Sequence, residues 1–266
     1  MQFLCSSNGQ DFLFRPESRR KSLVVKDVEI RQYPDFFTSY VMDALRHVIW
    51  LPFLLLNLHI DVQGQEWERE LEQDGISVYT RNVPGKAYKE FKATTIVNTS
   101  LHSLLALFKS VDQMPEWLTQ CEETKLISSE HFWHQLSYHE VKVPLLRNRD
   151  MVLEMNISQD TIMNTLRIDI QGKPSLYPKQ SRKIRVEDIH GYWLCKPLED
   201  GSMYIEYSMY LDPAGIIPPW LYNKRIKNDP YETLLNLQQR VKRKELKLAF
   251  YPQVAQLTNQ QQLIMR

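Results

Sequence analysis

Glycine is scarce, with 8 residues in a chain of 266. None falls in a G-x-G-x-x-G or G-x-x-x-x-G-K-[ST] arrangement, which disfavours a nucleotide-binding fold. Cysteine is scarcer still: Cys5, Cys121 and Cys195, with no C-x-x-C spacing. Neither a zinc knuckle nor a thioredoxin-like redox pair is suggested. Cys121 and Cys195 pair only if the chain is exported; otherwise each behaves as a small buried hydrophobe. An excess of one charge is also missing. The 33 Lys and Arg offset 32 Asp and Glu to a net charge of +1, which gives no drive toward nucleic acid by counterion release. No apolar run reaches the ~20 residues of a membrane-crossing helix. What is present suits a folded chain: 43% apolar and 24% charged residues in a length of 266, enough for one generous domain or two small ones with a real core.

Residues 1–41 show no sustained helical or strand period and read as an extension outside the fold. From Met42 the pattern changes. Arg46 precedes the wholly apolar stretch Val48–Leu56, "VIWLPFLLL", and Val62 and Gly64 are small residues ahead of Gln65. With Met42 as the true start, 42–64 has the layout of a secretory signal peptide, and the protein is periplasmic or secreted. Otherwise 43–58 is a buried helix and the protein is cytoplasmic. The domain then occupies 65–248, and a Gln-rich tail follows at 249–266.

Periodicity sketches the domain. Trp67 and Leu71 are an i,i+4 pair in "EWERELEQDG", which predicts a short helix ending near Gly75. "ISVYTRNV" and "AYKEFKATTIVN" predict two strands joined by Pro84-Gly85. Ser100 is an expected N-cap for "LHSLLALFKSV", with Leu101, Leu104, Leu105 and Phe108 at helical spacing, and Asp112 an expected cap for one more short turn. The stretch from 124 to 212 is mostly strand. One face of "RDMVLEMNIS" carries Arg149, Met151, Leu153 and Met155; one face of "GSMYIEYSMYLD" carries Met203, Ile205, Tyr207, Met209 and Leu211. Period-two alternation of this kind predicts an antiparallel sheet with one buried face. The segment from Gly215 to Leu246 predicts a long helix with Trp220, Tyr231, Leu234, Leu237 and Val241 on one face. It is kinked or restarted where Asp229, Pro230 and Glu232 resemble an N-cap.

Six blocks, "YKEFKA", "LFKSVDQMPEWLTQC", "VPLLRNRD", "HGYWLCKPLEDG", "YSMYLDPAGIIPPWLYN" and "YETLLNLQQRV", run in this order from about 67 to 245. Together they resemble the START family of StAR-related lipid-transfer domains, bacterial members in particular. The resemblance implies an α+β helix-grip fold, in which an antiparallel sheet wraps a C-terminal helix and encloses a hydrophobic tunnel. It implies one lipid as ligand (a sterol, a phospholipid or another apolar molecule), transient contact with a membrane surface, and no cofactor. The expected tunnel residues are Arg149, Met151, Leu153, Met155, Tyr207, Met209, Trp220 and Leu234. The expected gate is the last helix with the loop 172–182, whose Leu176 and Tyr177 stand between Pro174 and Pro178; the other arrangement folds this loop back on its own sheet. An enzyme of the wider helix-grip superfamily, cyclase- or hydrolase-like, is the alternative use of the same cavity.

A guanidinium on an apolar strand face needs partners. For Arg149 these are Asp150, acids of adjacent strands, or a ligand headgroup. Other constellations carry less. His131, His134 and His139 are candidate metal ligands, but in a strand His131 and His134 alternate to opposite faces and cannot share a metal without a bulge. Ser137, His139 and Asp150 form a triad on paper only, with no G-x-S-x-G elbow. The basic runs 224–227 and 242–247 are a solvated helix face or a contact for anionic headgroups. Trp117, Trp133, Trp193 and Trp220 belong to the core or line the tunnel.

Overall fold

The computed structural model describes residues 66–255. The expected extension at 1–41, the leader at 42–64 and the tail from 256 lie outside the described residues. Strand alternation builds one ten-stranded sheet, antiparallel except for a short parallel addition. The strands are β1 (Glu68–Gln73), β2 (Ile76–Asn82), β3 (Lys89–Val97), β4 (Cys121–Ser128), β5 (His134–Val141), β6 (Arg149–Asp160), β7 (Thr165–Gly172), β8 (Ile184–Arg185), β9 (Ile189–Pro197) and β10 (Met203–Leu211). Their spatial order is β1-β2-β3-β10-β9-β7-β6-β5-β4, with β8 beside β6. The helices are α1 (Leu101–Lys109), α2 (Pro219–Arg225), α3 (Asn228–Arg240) and the short α4 (Lys244–Lys247). One sheet face lies on α3, which packs against β2 and β3. This is the α+β helix-grip architecture.

The first element corrects an expectation. Residues 68–73 are a strand, not a helix, and Gln73 pairs with Ile76 around a two-residue turn. Asp74 and Gly75 both have positive φ, 52° and 71°, as a hairpin turn matching strand twist requires. The Trp67–Leu71 spacing suggested a helix, but Asp-Gly followed by alternation was the stronger local signal. The charged Glu68, Arg69, Glu70 and Glu72 suit an edge strand, where they oppose pairing with a further chain.

Helix α1 starts where expected: the Ser100 hydroxyl accepts from the Ser103 amide at 3.1 Å, satisfying one orphan donor of the first turn. The following 3-10 turn, Val111–Glu116, has no side-chain cap, so Asp112 does not serve as one. The last helix breaks between Arg225 and Asn228. Asp229 sits inside the first turn of α3 rather than at its cap. The tail is fastened through residue 255. Gln159 donates to the Ala255 carbonyl at 2.9 Å and accepts from its amide at 2.9 Å.

Strand β5 is buried on both faces, which hid its alternation. Its outer face lies beneath the chain that follows β7. The Tyr177 ring packs on Tyr138 with centroids 5.2 Å apart, and Lys183 bonds Glu140 and the Tyr138 hydroxyl. Cys121 and Cys195 are free; they stand on β4 and β9 with three strands between them, beyond disulfide reach.

In the sheet centre Gly191 faces Met209 across the β9–β10 ladder. A Cβ there would lie 2.2 Å from the Ser208 carbonyl oxygen and 2.8 Å from Met209 Sδ. Backbone blocks one side, so repacking offers little relief. We predict that Gly191→Ala lowers unfolding free energy by roughly 2–3 kcal/mol in urea titration. An unchanged midpoint contradicts the close approach.

Candidate ligand cavity

Alternate residues of β6, β9 and β10 point at the helices without filling the space between. The result is a hollow of two lobes. The inner lobe, about 190 Å³, is walled by Met151, Leu153 and Met155 of β6, Tyr207 and Met209 of β10, and aromatic rings. The outer lobe, about 180 Å³, lies between the 143–146 connection, the 213–217 connection and α2. Val141, Met151, Leu211, Tyr222 and Asp229 border both lobes. Each lobe exceeds the roughly 150 Å³ of a dry apolar cavity that takes a benzene-sized guest. The aromatic wall is stiff: Trp193 and Tyr207 stack with centroids 3.9 Å apart and planes 2° from parallel. Trp117 and Phe108 stand 5.8 and 5.0 Å from Trp193.

Arg149 borders the outer lobe and is 3% exposed. It is not bridged to Asp150. Its Nε donates to the Pro213 carbonyl at 3.0 Å, Nη1 to the Arg147 carbonyl at 2.6 Å and Nη2 to the Ala214 carbonyl at 3.2 Å. The charge thus ties the start of β6 to the chain after β10. Asp150, on the opposite face, accepts from Arg185 at 2.8 Å in a pair nearly shut off from solvent. Arg185 also donates to the carbonyls of Pro174, Tyr177 and Pro178. The paired charges therefore clamp the loop 172–182 to the outer face of the sheet.

That clamp decides where the expected gate lies. None of the loop's residues borders either lobe. Tyr177 rests on the outer face and Leu176 is 53% exposed. Tyr177 thus packs on the sheet, the other arrangement the sequence allowed, while Leu176 stays in solvent. Trp220 does not line the hollow either: the helix break turns it outward to 70% exposure. Leu234 is fully buried in the packed core rather than on a cavity wall. Arg149, Met151, Leu153, Met155, Tyr207 and Met209 border the hollow.

Several polar groups border the hollow without having been expected there from sequence. His139 bonds Ser137 at 2.8 Å, and burial drops its pKa to about 4. It faces the lobe while Asp150 faces away, so no triad assembles. His134 lies on the outer face with Glu154, at 3.4 Å, and cannot share a metal with His139. Burial pushes the Cys121 thiol up to about 12. Asp229 sits where the lobes meet, accepting from Gln120 Nε2 at 3.0 Å. Burial pushes its carboxyl up to about 6, against the pull of Arg225 and the Gln120 bond. The signal available was spacing: Tyr222, Ile226, Asp229, Thr233 and Leu237 fall on one helical face, and an acid there is out of place. The phenols of Tyr207 and Tyr222 are driven well above their usual value by burial first, then by the nearby Asp229 charge.

A carboxyl whose folded pKa is raised above the unfolded 3.8 costs stability once it ionises, so its penalty is absent in acid and complete above the folded pKa. Asp229→Asn keeps the acceptor for Gln120 and removes the charge. We predict a gain of roughly 1–3 kcal/mol at about pH 7.5 in urea titration, shrinking toward zero by about pH 4. A gain independent of pH would show that the charge is not its origin.

Comparison with known proteins agrees with this architecture. The sequence model of the START domain matches residues 54–247. The rat (Rattus norvegicus) phosphatidylcholine transfer protein is 28% identical over 175 residues, 62% of this chain and 78% of the relative. An uncharacterised protein of Pseudomonas aeruginosa is 27% identical over 178 residues, 66% of this chain and 86% of the relative. Among solved structures, the STAR-related lipid transfer protein of Xanthomonas axonopodis superposes with a TM-score of 0.63 at 22% identity, covering 66% of this chain and 99% of that one. Human StAR-related lipid transfer protein 5 superposes at 0.61 with 18% identity, covering 77% and 98%. With its sheet, its terminal helix and the extent of the match, the chain belongs to the START domain family.

Proposed function

We propose that this START domain carries one lipid in the two-lobed hollow and exchanges it with a membrane at the outer lobe. The observation that carries the reading is the hollow itself, apolar in its walls and left unfilled between sheet and helices. The START match and the lipid-transfer relatives support it. The mouth is formed by the 143–147 connection and the 213–225 segment, in place of the loop 172–182. Leu145 is fully exposed, Ile216 is 93% and Trp220 70% exposed, and each adjoins a lining residue in sequence: Leu146, Ile217 and Leu221. Lys142, Arg147, Lys224 and Arg225 are exposed around these side chains. Apolar tips inside a basic rim suit an anionic bilayer surface, at up to ~1 kcal/mol per basic residue.

Native mass spectrometry with lipid extraction tests the reading. The expected result is one lipid per chain, either retained through purification or taken up from vesicles. A chain that stays empty with every lipid class offered overturns it. The mouth has its own test. Leu145→Glu with Trp220→Glu is predicted to slow lipid transfer between anionic vesicles by roughly fivefold or more, with thermal stability kept because both side chains stand in solvent. Unchanged transfer places the mouth elsewhere.

A reaction chamber is the second reading, favoured by Asp229: a carboxyl near 6 in an apolar hollow is poised to exchange protons. Conversion of a loaded lipid that is lost in Asp229→Asn supports it, whereas recovery of unchanged lipid leaves carriage alone. Export is part of the same proposal, on the leader-like pattern of 42–64. N-terminal sequencing of the native protein is expected to begin at Gln65; a chain starting before Met42 overturns it.

A further inference from the structure

Resting on the carrier reading, we infer that the hollow selects an uncharged lipid ending in a hydroxyl, which Tyr207, Tyr222 and Asp229 hold together. The three residues come from β10, α2 and α3 and border one lobe. Each lies within electrostatic reach of the other two, since the Asp229 charge acts on both phenols and Tyr207 acts on Tyr222. Among the described residues neither phenol hydroxyl has a hydrogen-bond partner, though both rings are packed. Asp229 accepts one bond, from Gln120, and a carboxyl group has room for more.

The two phenol hydroxyls are not sealed off but open onto the hollow. Two donors lining one lobe with a carboxyl define a complementary guest. It must accept from a phenol and donate to Asp229, which an alcohol hydroxyl does with one oxygen. Its hydrocarbon body then lies against Met151, Leu153, Met155 and Trp193 in the inner lobe.

Other headgroups fit less well. A phosphodiester only accepts, and its negative charge would face Asp229. The buried cation nearest the hollow, Arg149, spends Nε, Nη1 and Nη2 on backbone carbonyls. Arg225 borders the outer lobe from the exposed side and already acts on the Asp229 charge. A quaternary ammonium has no hydrogen to donate. An alkane leaves all three groups unsatisfied.

The test uses phosphatidylcholine vesicles doped equally with stearyl alcohol and octadecane, incubated with the full chain. Bound lipid is then identified by extraction and native mass spectrometry. The wild type is expected to hold the alcohol at least about tenfold over both the alkane and the phospholipid, relative to their supply. In the double variant Tyr207→Phe with Tyr222→Phe the preference is expected to fall to near parity. The thermal midpoint should persist, since neither hydroxyl has a hydrogen-bond partner among the described residues. A wild type that holds phospholipid or alkane equally well overturns the inference while the carrier reading stands. So does a double variant that keeps its preference. Uptake of none of the three overturns the carrier reading and the inference with it.

Discussion

Helix α3 packs Leu234 and Leu237 into the core and is tied at both flanks by hydrogen bonds, and the hollow lies beside its first turn. On one side, Thr233 accepts from the Thr119 amide at 3.2 Å, and Asn236 donates to the Trp117 carbonyl at 3.2 Å. Arg240 donates to Glu116 and to Gln113, at 2.5 and 2.6 Å. On the other side, Gln238 donates to Thr95 at 2.9 Å and to the Asp74 carbonyl at 3.2 Å. Directional contacts fix the helix at a set distance from both flanks. An interface of apolar side chains alone would be free to close until its density matched a normal core. Leu234 and Leu237 do pack fully, so one part of α3 is core while its first turn borders the space.

The same division of labour explains the charges. Arg149 and Asp150 are neighbours with opposite tasks because a strand sends them to opposite faces. Arg149 gathers three carbonyls where the chain bends through Ala214 and Gly215, both at positive φ, 53° and 68°. It holds the rim of the outer lobe. Asp150, through Arg185, holds the loop over the outer face of the sheet. Removing either partner of that pair would strand a buried charge, a far larger cost than losing an exposed ion pair. The polar residues therefore set the frame, and the apolar ones line what the frame leaves open.

Much of this was legible in the chain because alternation survives where one sheet face is apolar. The cavity faces of β6 and β10 were read directly, and so was the α1 cap at Ser100. Legibility failed where a second layer intervened or a local pattern had two uses. Strand β5 is covered on both sides, so its sequence alternates nothing. Trp67 and Leu71 fit a helix spacing but belong to a charged edge hairpin. Asp229-Pro230 does mark a restarted helix, but the pattern did not show that tertiary packing places that carboxyl against the hollow. Trp220 would share a face with Leu234 only on an unbroken helix, and the interruption at 226–227 rotates it away. Leu176 and Tyr177 carried the apolar character of a gate but not its position, which the clamp of Arg185 decides.

The central claim is physical: sheet and terminal helix enclose a space that a single lipid fills. Anomalous diffraction from crystals of the protein loaded with a bromine-tagged fatty alcohol locates the guest without assuming its pose. The account predicts a bromine peak inside the inner lobe, among Met151, Leu153, Met155 and Trp193, with the sheet and α3 in place. Bromine found only on the outer surface, with those side chains closed on one another, would contradict it.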